Sequence, residues 1–174
     1  MRRTDPSAME KPRQTAVGLY TPEQRLRRDS TRWTLVQGVL APVQFVIFLV
    51  SAGLVLRYLA TGDGAFAATV SIVVKTLTLY TIMITGSIWE KVVFGKWLFA
   101  DAFFWEDVFS FLALALHIAY LVMLIGGLGT ERGRMLLALA AYATYVINAA
   151  QFILKLRAAR LQGAGSPSLM AAAA

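Results

Sequence analysis

Four stretches of the chain are almost continuously apolar: Thr34–Leu56, Ala65–Ile88, Val108–Leu128 and Met135–Ile153. Each runs for roughly 20 residues, and about 20 residues rising 1.5 Å apiece cross a hydrocarbon core roughly 30 Å thick. The pattern predicts an all-α integral membrane four-helix bundle, with spans at about 34–56, 65–88, 106–128 and 135–155. Ahead of the first span, Thr21-Pro22-Glu23-Gln24 reads as a helix start. Thr21 is the N-cap, Pro22 takes the first helical position, and Gln24 closes a capping box. A short basic surface helix is therefore expected over about 22–33, anchored by Trp33 at the interface. Residues 1–19, polar and broken by Pro6 and Pro12, read as a disordered leader, and 161–174, rich in Gly, Ser and Ala, as a flexible tail. The membrane domain is 20–160.

The polar positions inside the spans are few and patterned. Pro42 interrupts the first span, with Gln37 and Gln44 nearby either to satisfy the carbonyl it frees or to face an internal cavity. In the second, Ser71, Lys75, Thr78, Thr81 or Ile82, and Thr85 recur at helical spacing and lead towards Glu90. An intramembrane lysine either faces the bundle interior or snorkels outwards. Glu106, Ser110, Ala113, His117 and Tyr120 share one face of the third span. Tyr142, Tyr145, Asn148 and Gln151 or Phe152 do the same in the fourth.

Composition agrees with the periodicity: 57% of the 174 residues are hydrophobic and only 16% are charged, against about 25% charged in ordinary soluble domains. The net charge of +7 does not indicate nucleic acid, because of where the basic residues lie. Eight precede the first span, Lys91 and Lys96 lie in the central connection, and Lys155, Arg157 and Arg160 follow the last; Arg57, Arg132 and Arg134 sit on the opposite side. By the positive-inside rule both termini and the central connection are cytoplasmic. No secretory signal is visible. Cysteine is absent and His117 is the single histidine, which excludes disulfides, thiolate chemistry and multi-histidine metal or haem sites within one chain. No Walker A loop, dinucleotide fingerprint, nucleophile elbow or zincin motif occurs.

The connection from Trp89 to Asp107 breaks the pattern. It crowds Glu90, Lys91, Lys96, Asp101, Glu106 and Asp107 among Trp89, Trp97 and Trp105, and repeats Trp-Glu-charge-Val at Trp89 and Trp105. Rings and paired charge beside a polar helix stripe suit a flat, apolar ligand held between the helices. Carboxyl groups desolvated beside such rings can serve as acids near neutral pH. The alternative is a set of interfacial salt bridges with tryptophan anchors.

Five motifs then carry a family resemblance: Tyr20-Thr21-Pro22-Glu23-Gln24-Arg25, Val36-Gln37-Gly38-Val39-Leu40-Ala41-Pro42, Ile88-Trp89-Glu90-Lys91-Val92-Val93-Phe94-Gly95, Phe103-Phe104-Trp105-Glu106-Asp107-Val108 and Ala141-Tyr142-Ala143-Thr144-Tyr145. Across about residues 20–160 the chain resembles the 3-vinyl bacteriochlorophyllide hydratases, membrane enzymes of bacteriochlorophyll biosynthesis. The resemblance implies a hydro-lyase adding water to the C3 vinyl group of chlorophyllide a or 3-vinyl bacteriochlorophyllide a in the inner, cytoplasmic or intracytoplasmic, membrane of a phototrophic bacterium. It also allows association with other enzymes of that biosynthesis. No cofactor is expected, since magnesium is carried by the substrate, and the protein has no metal site of its own. Hydration needs a proton at the terminal vinyl carbon and water at its neighbour. Glu90 or Glu106 is the candidate acid, the other carboxylate or Asp107 orients water, and His117 is a candidate axial ligand to the pigment magnesium. Lys91 or Lys96 would hold the propionate, and Lys75, Trp89, Trp105, Tyr120, Tyr145 and Asn148 are further substrate-binding candidates. Vinyl and propionate lie on opposite sides of the macrocycle, so one small charge cluster cannot serve both. If the cluster binds the propionate, the acid lies deeper, among His117, Tyr120, Lys75 and Tyr145. The competing readings are a non-catalytic tetrapyrrole-binding assembly factor and, less well supported, a small transporter.

Overall fold

The computed structural model describes residues 19–164, with side chains through Ala158; the expectations for the leader and most of the tail fall outside the described residues. Five helices follow in order: α1 (Pro22–Ser30), α2 (Arg32–Thr61), α3 (Ala65–Phe94), α4 (Phe104–Ile125) and α5 (Glu131–Ala164). No strand occurs among the described residues. The four long helices are each apolar and long enough to cross a membrane. Most of their apolar surface faces outward, as it must when lipid rather than a protein core is the solvent.

α1 begins as the sequence dictates. Thr21 Oγ1 accepts from the Gln24 amide at 3.2 Å while Gln24 Oε1 accepts from the Thr21 amide at 2.9 Å. Two orphan donors are satisfied reciprocally. The helix ends at Ser30, short of the expected residue 33, because Thr31 is extended and becomes the N-cap of α2. Trp33 therefore opens α2 instead of closing α1. That helix passes through Pro42 without a break. Gln37 does not answer the freed carbonyl; its Nε2 donates to Thr85 Oγ1 across to α3 at 2.7 Å.

The bundle is two antiparallel hairpins, α2–α3 and α4–α5, tightly packed within themselves and lightly against each other through α2–α5 and α3–α4. Cross-helix bonds fix the registers. Ser51 Oγ meets Ser71 Oγ at 2.7 Å and the Tyr142 phenol oxygen at 2.5 Å, so α2, α3 and α5 are level there. Asn148 Nδ2 donates to Ser110 Oγ at 2.6 Å and Lys155 Nζ to Glu106 Oε2 at 2.6 Å, which sets α5 against α4. One end of the bundle carries α1 and the 95–103 connection; the other carries the turns at 62–64 and 126–130. The core between the hairpins includes Phe48, Val55, Ile72, Tyr120, Met135 and Tyr142. Where α2 and α5 meet, an open apolar groove of about 390 Å³ runs past Phe48, Tyr142 and Val146.

Candidate functional site

At the α1 end, the 95–103 connection folds back over the bundle and is held by carboxylates. Gly95, at φ +79°, stops α3 with its amide donating to Lys91 O. Phe99 then takes φ +57°, a left-handed conformation that costs a non-glycine residue on the order of 1 kcal/mol. Two consecutive amides of this turn are bound by buried acids: Phe99 N donates to Asp107 Oδ2 at 2.6 Å and Ala100 N to Glu90 Oε2 at 3.2 Å. Glu90 from α3 and Asp107 from α4 are thereby drawn against one another, each 5% exposed. Glu106, 3% exposed, is held instead by Lys155, which also donates to Ala102 O. Three buried carboxylates thus gather at this end with one ammonium, which is bonded to Glu106.

Aromatic packing shuts this cluster from water. The ring of Phe103 lies 5.7 Å from Trp89, 5.8 Å from Phe94 and 5.5 Å from Phe152, with Lys155 Nζ 5.1 Å from its centroid. Tyr20 stacks on Phe94 at 5.7 Å and is capped by the Arg28 guanidinium. Burial pushes the Tyr20 phenol up, while Arg28 pulls it the other way. Trp89 is pinned to α2 by its Nε1, which donates to Thr34 Oγ1 at 2.9 Å. A hollow of about 370 Å³, bordered by Thr21, Gln24, Phe94 and Lys96, opens beside the cluster.

Deeper in the bundle lies a second polar group. Lys75 does not snorkel: it is 0% exposed, its Nζ sits 3.7 Å from the Tyr145 ring centroid, and it makes no hydrogen bond to the described residues. His117 Nδ1 lies 2.7 Å from Ala113 O. A carbonyl only accepts, so Nδ1 carries hydrogen and the unpartnered Nε2 presents a lone pair in the neutral ring. Tyr120 OH, Gln44 Oε1, Asn148 Oδ1 and Gln151 Oε1 are likewise buried and unpartnered. Native proteins pair nearly all such atoms, so each of these is open to a partner that the protein itself does not supply.

The expected α4 stripe of Glu106, Ser110, Ala113, His117 and Tyr120 is buried throughout. On α3 the expectation holds for Lys75 and Glu90 but not for Thr78 and Thr81, whose hydroxyls donate to their own helix at Val74 O and Leu77 O. Their place on the buried face is taken by Thr76 and Leu79. Among the other candidates, Trp89, Tyr120, Tyr145 and Asn148 face the interior. Trp105, 64% exposed, points outward against Phe104. Lys91 donates to Gly95 O and Lys96 pairs with the exposed Asp101, so both ammonium groups are engaged at the surface. Lys155 entered the sequence reading only as a topology charge. Extending the α5 stripe from Asn148 through Gln151 by one more turn reaches it.

The sequence model of a family described as 2-vinyl bacteriochlorophyllide hydratase matches residues 20–158. A protein of that name from Cereibacter sphaeroides is 68% identical over 145 residues, covering 82% of this chain and 89% of the relative. Another from Rhodobacter capsulatus is 66% identical over 146 residues, covering 84% and 85%. No solved structure matches.

Proposed function

This chain belongs to the 2-vinyl bacteriochlorophyllide hydratase family, and we propose from that membership that it is a hydro-lyase of bacteriochlorophyll biosynthesis acting within a membrane. The vinyl position numbered 2 in that name is the C3 vinyl group of the other ring numbering. The substrate is chlorophyllide a or 3-vinyl bacteriochlorophyllide a, and the product carries a 1-hydroxyethyl group.

The observation that carries the chemistry is the buried Glu90–Asp107 pair with Glu106–Lys155 beside it. One ammonium cannot balance three desolvated carboxylates, and like charges in such a site resist joint ionisation, so the pair keeps a proton between its two members. That proton passes to the terminal vinyl carbon. The cation left on the adjacent carbon is delocalised by the macrocycle, water adds there, and the carboxylate just emptied takes the proton that the water releases. One water is added and the pair is restored. The rings of Phe103, Trp89 and Phe94 keep bulk water from the cation. Glu106, fixed to Lys155, positions the start of α4 and with it Asp107.

The enzyme draws on no cofactor in this scheme, since the proton comes from its own carboxylates and magnesium belongs to the pigment. The α1 end faces the cytoplasm of a phototrophic bacterium, where the hollow beside Lys96 admits pigment from soluble or membrane partners of the same biosynthesis. Incubation of membranes containing the protein with chlorophyllide a in water enriched in heavy oxygen tests the reading. Gain of one labelled water with a blue-shifted red band is expected; bound but unchanged pigment would make the protein a carrier, and neither would remove the reading altogether.

A further inference from the structure

The two polar groups of the interior are separated along the helix axes. On α4, Asp107 and His117 are ten residues apart, about 15 Å along the axis, and on α3, Lys75 and Glu90 are fifteen apart, about 22 Å. The Ser51–Ser71–Tyr142 contact puts Ser71 level with Tyr142, and Lys75 one turn from Ser71 is level with Tyr145, over whose ring its ammonium lies. Lys75 also lies within electrostatic reach of His117. Asn148 and Gln151, at intermediate depth on α5, present unpartnered amide oxygens between these two levels.

The charges of the two ends are opposite. The upper end holds three carboxylates against Lys155, and the cations nearest its mouth, Lys91 and Lys96, are engaged by Gly95 O and Asp101. A propionate brought there meets repulsion. The deep end holds a fully buried amine that has the face of Tyr145 and no acceptor. A buried ammonium without a partner is strongly unfavourable, and a carboxylate with further hydrogen bonds is the partner that offsets it. Resting on the hydratase reading, we infer that Lys75 is the anchor for the pigment's propionate carboxylate. The vinyl group, on the opposite side of the macrocycle, is then directed towards the Glu90 and Asp107 end. The unpartnered amide oxygens of Asn148 and Gln151 are hard donors that would suit the pigment's magnesium.

The test compares chlorophyllide a with its propionate methyl ester on the full-length protein, reading both binding, by the pigment's absorption, and turnover. The wild type is expected to bind the free acid about tenfold to a hundredfold more tightly than the ester, the worth of a buried charge-assisted hydrogen bond. In Lys75→Gln that preference disappears through a higher KM for the acid with kcat little changed, and Lys75→Arg restores part of it. Equal binding of acid and ester by the wild type overturns the assignment without needing any variant to fold. A preference that survives Lys75→Gln and vanishes in Lys91→Gln or Lys96→Gln also overturns it and puts the propionate at the mouth. Pigment that binds with this selectivity but is never hydrated would instead remove the hydratase reading and leave the anchor standing.

Discussion

Replacing Lys155 with methionine removes the one ammonium bonded to the buried acids while keeping an apolar stem of similar length. Lys155 Nζ is 2.6 Å from Glu106 Oε2 and also donates to Ala102 O, with the Glu106 side chain 4% exposed and that of Lys155 28%. Breaking a buried pair on one side costs about 3–5 kcal/mol, because the remaining charge is uncompensated. Lys155 retains some access to water, which argues for the low end, about 3 kcal/mol. That is more than a hundredfold in the unfolding equilibrium. Adding Glu106→Gln removes the stranded charge, so the double variant should recover about 2 kcal/mol relative to the sum of the single changes. The assay is reversible unfolding in mixed detergent micelles, followed by helical circular dichroism, for wild type, both single variants and the double. A Lys155→Met effect under about 0.5 kcal/mol, or strict additivity in the cycle, would refute the reasoning, since either outcome means the pair is hydrated and uncoupled.

Two further outcomes follow from the same geometry. Thr21→Ala removes the hydroxyl half of the α1 capping box and should weaken α1 by about 1 kcal/mol; faster amide exchange confined to residues 22–30, with global unfolding unchanged, is the expected readout. Trp89→Phe keeps the packing against Phe103 but deletes the 2.9 Å bond to Thr34, a loss of about 1 kcal/mol measurable in the same unfolding assay, with turnover retained.

Features set by local or periodic signals were legible in the sequence. The α1 start depends on four adjacent residues, and the α4 face on spacings of three and four that bring Glu106, Ser110, Ala113, His117 and Tyr120 to one side. The α3 face was only half legible, because a threonine in an apolar helix can satisfy its hydroxyl on its own backbone, as Thr78 and Thr81 do, and then needs no interior position. Helix ends ran past the apolar stretches: α3 continues to Phe94, where Gly95 supplies a left-handed stop. Glu90 and Asp107 were both legible as candidates, but the contact between them was not. It depends on the backbone of residues 99 and 100 turning its amides towards acids from two helices, and no periodicity encodes that. The Glu106–Lys155 contact joins residues 49 positions apart, and Lys75's burial against Tyr145 is a tertiary choice between interior and snorkelling that its own sequence neighbourhood leaves open.

The most direct test of the account is single-turnover hydration of chlorophyllide a by Glu90→Gln and Asp107→Asn, with pigment binding measured alongside. Amides keep the size of the acids, although their new NH₂ groups hold no transferable proton. The account predicts that each variant binds pigment within about threefold of wild type while the hydration rate falls by about 10²–10⁴, the usual contribution of a positioned acid or base. Full turnover by either variant with intact binding would contradict it and move the proton donor elsewhere in the bundle.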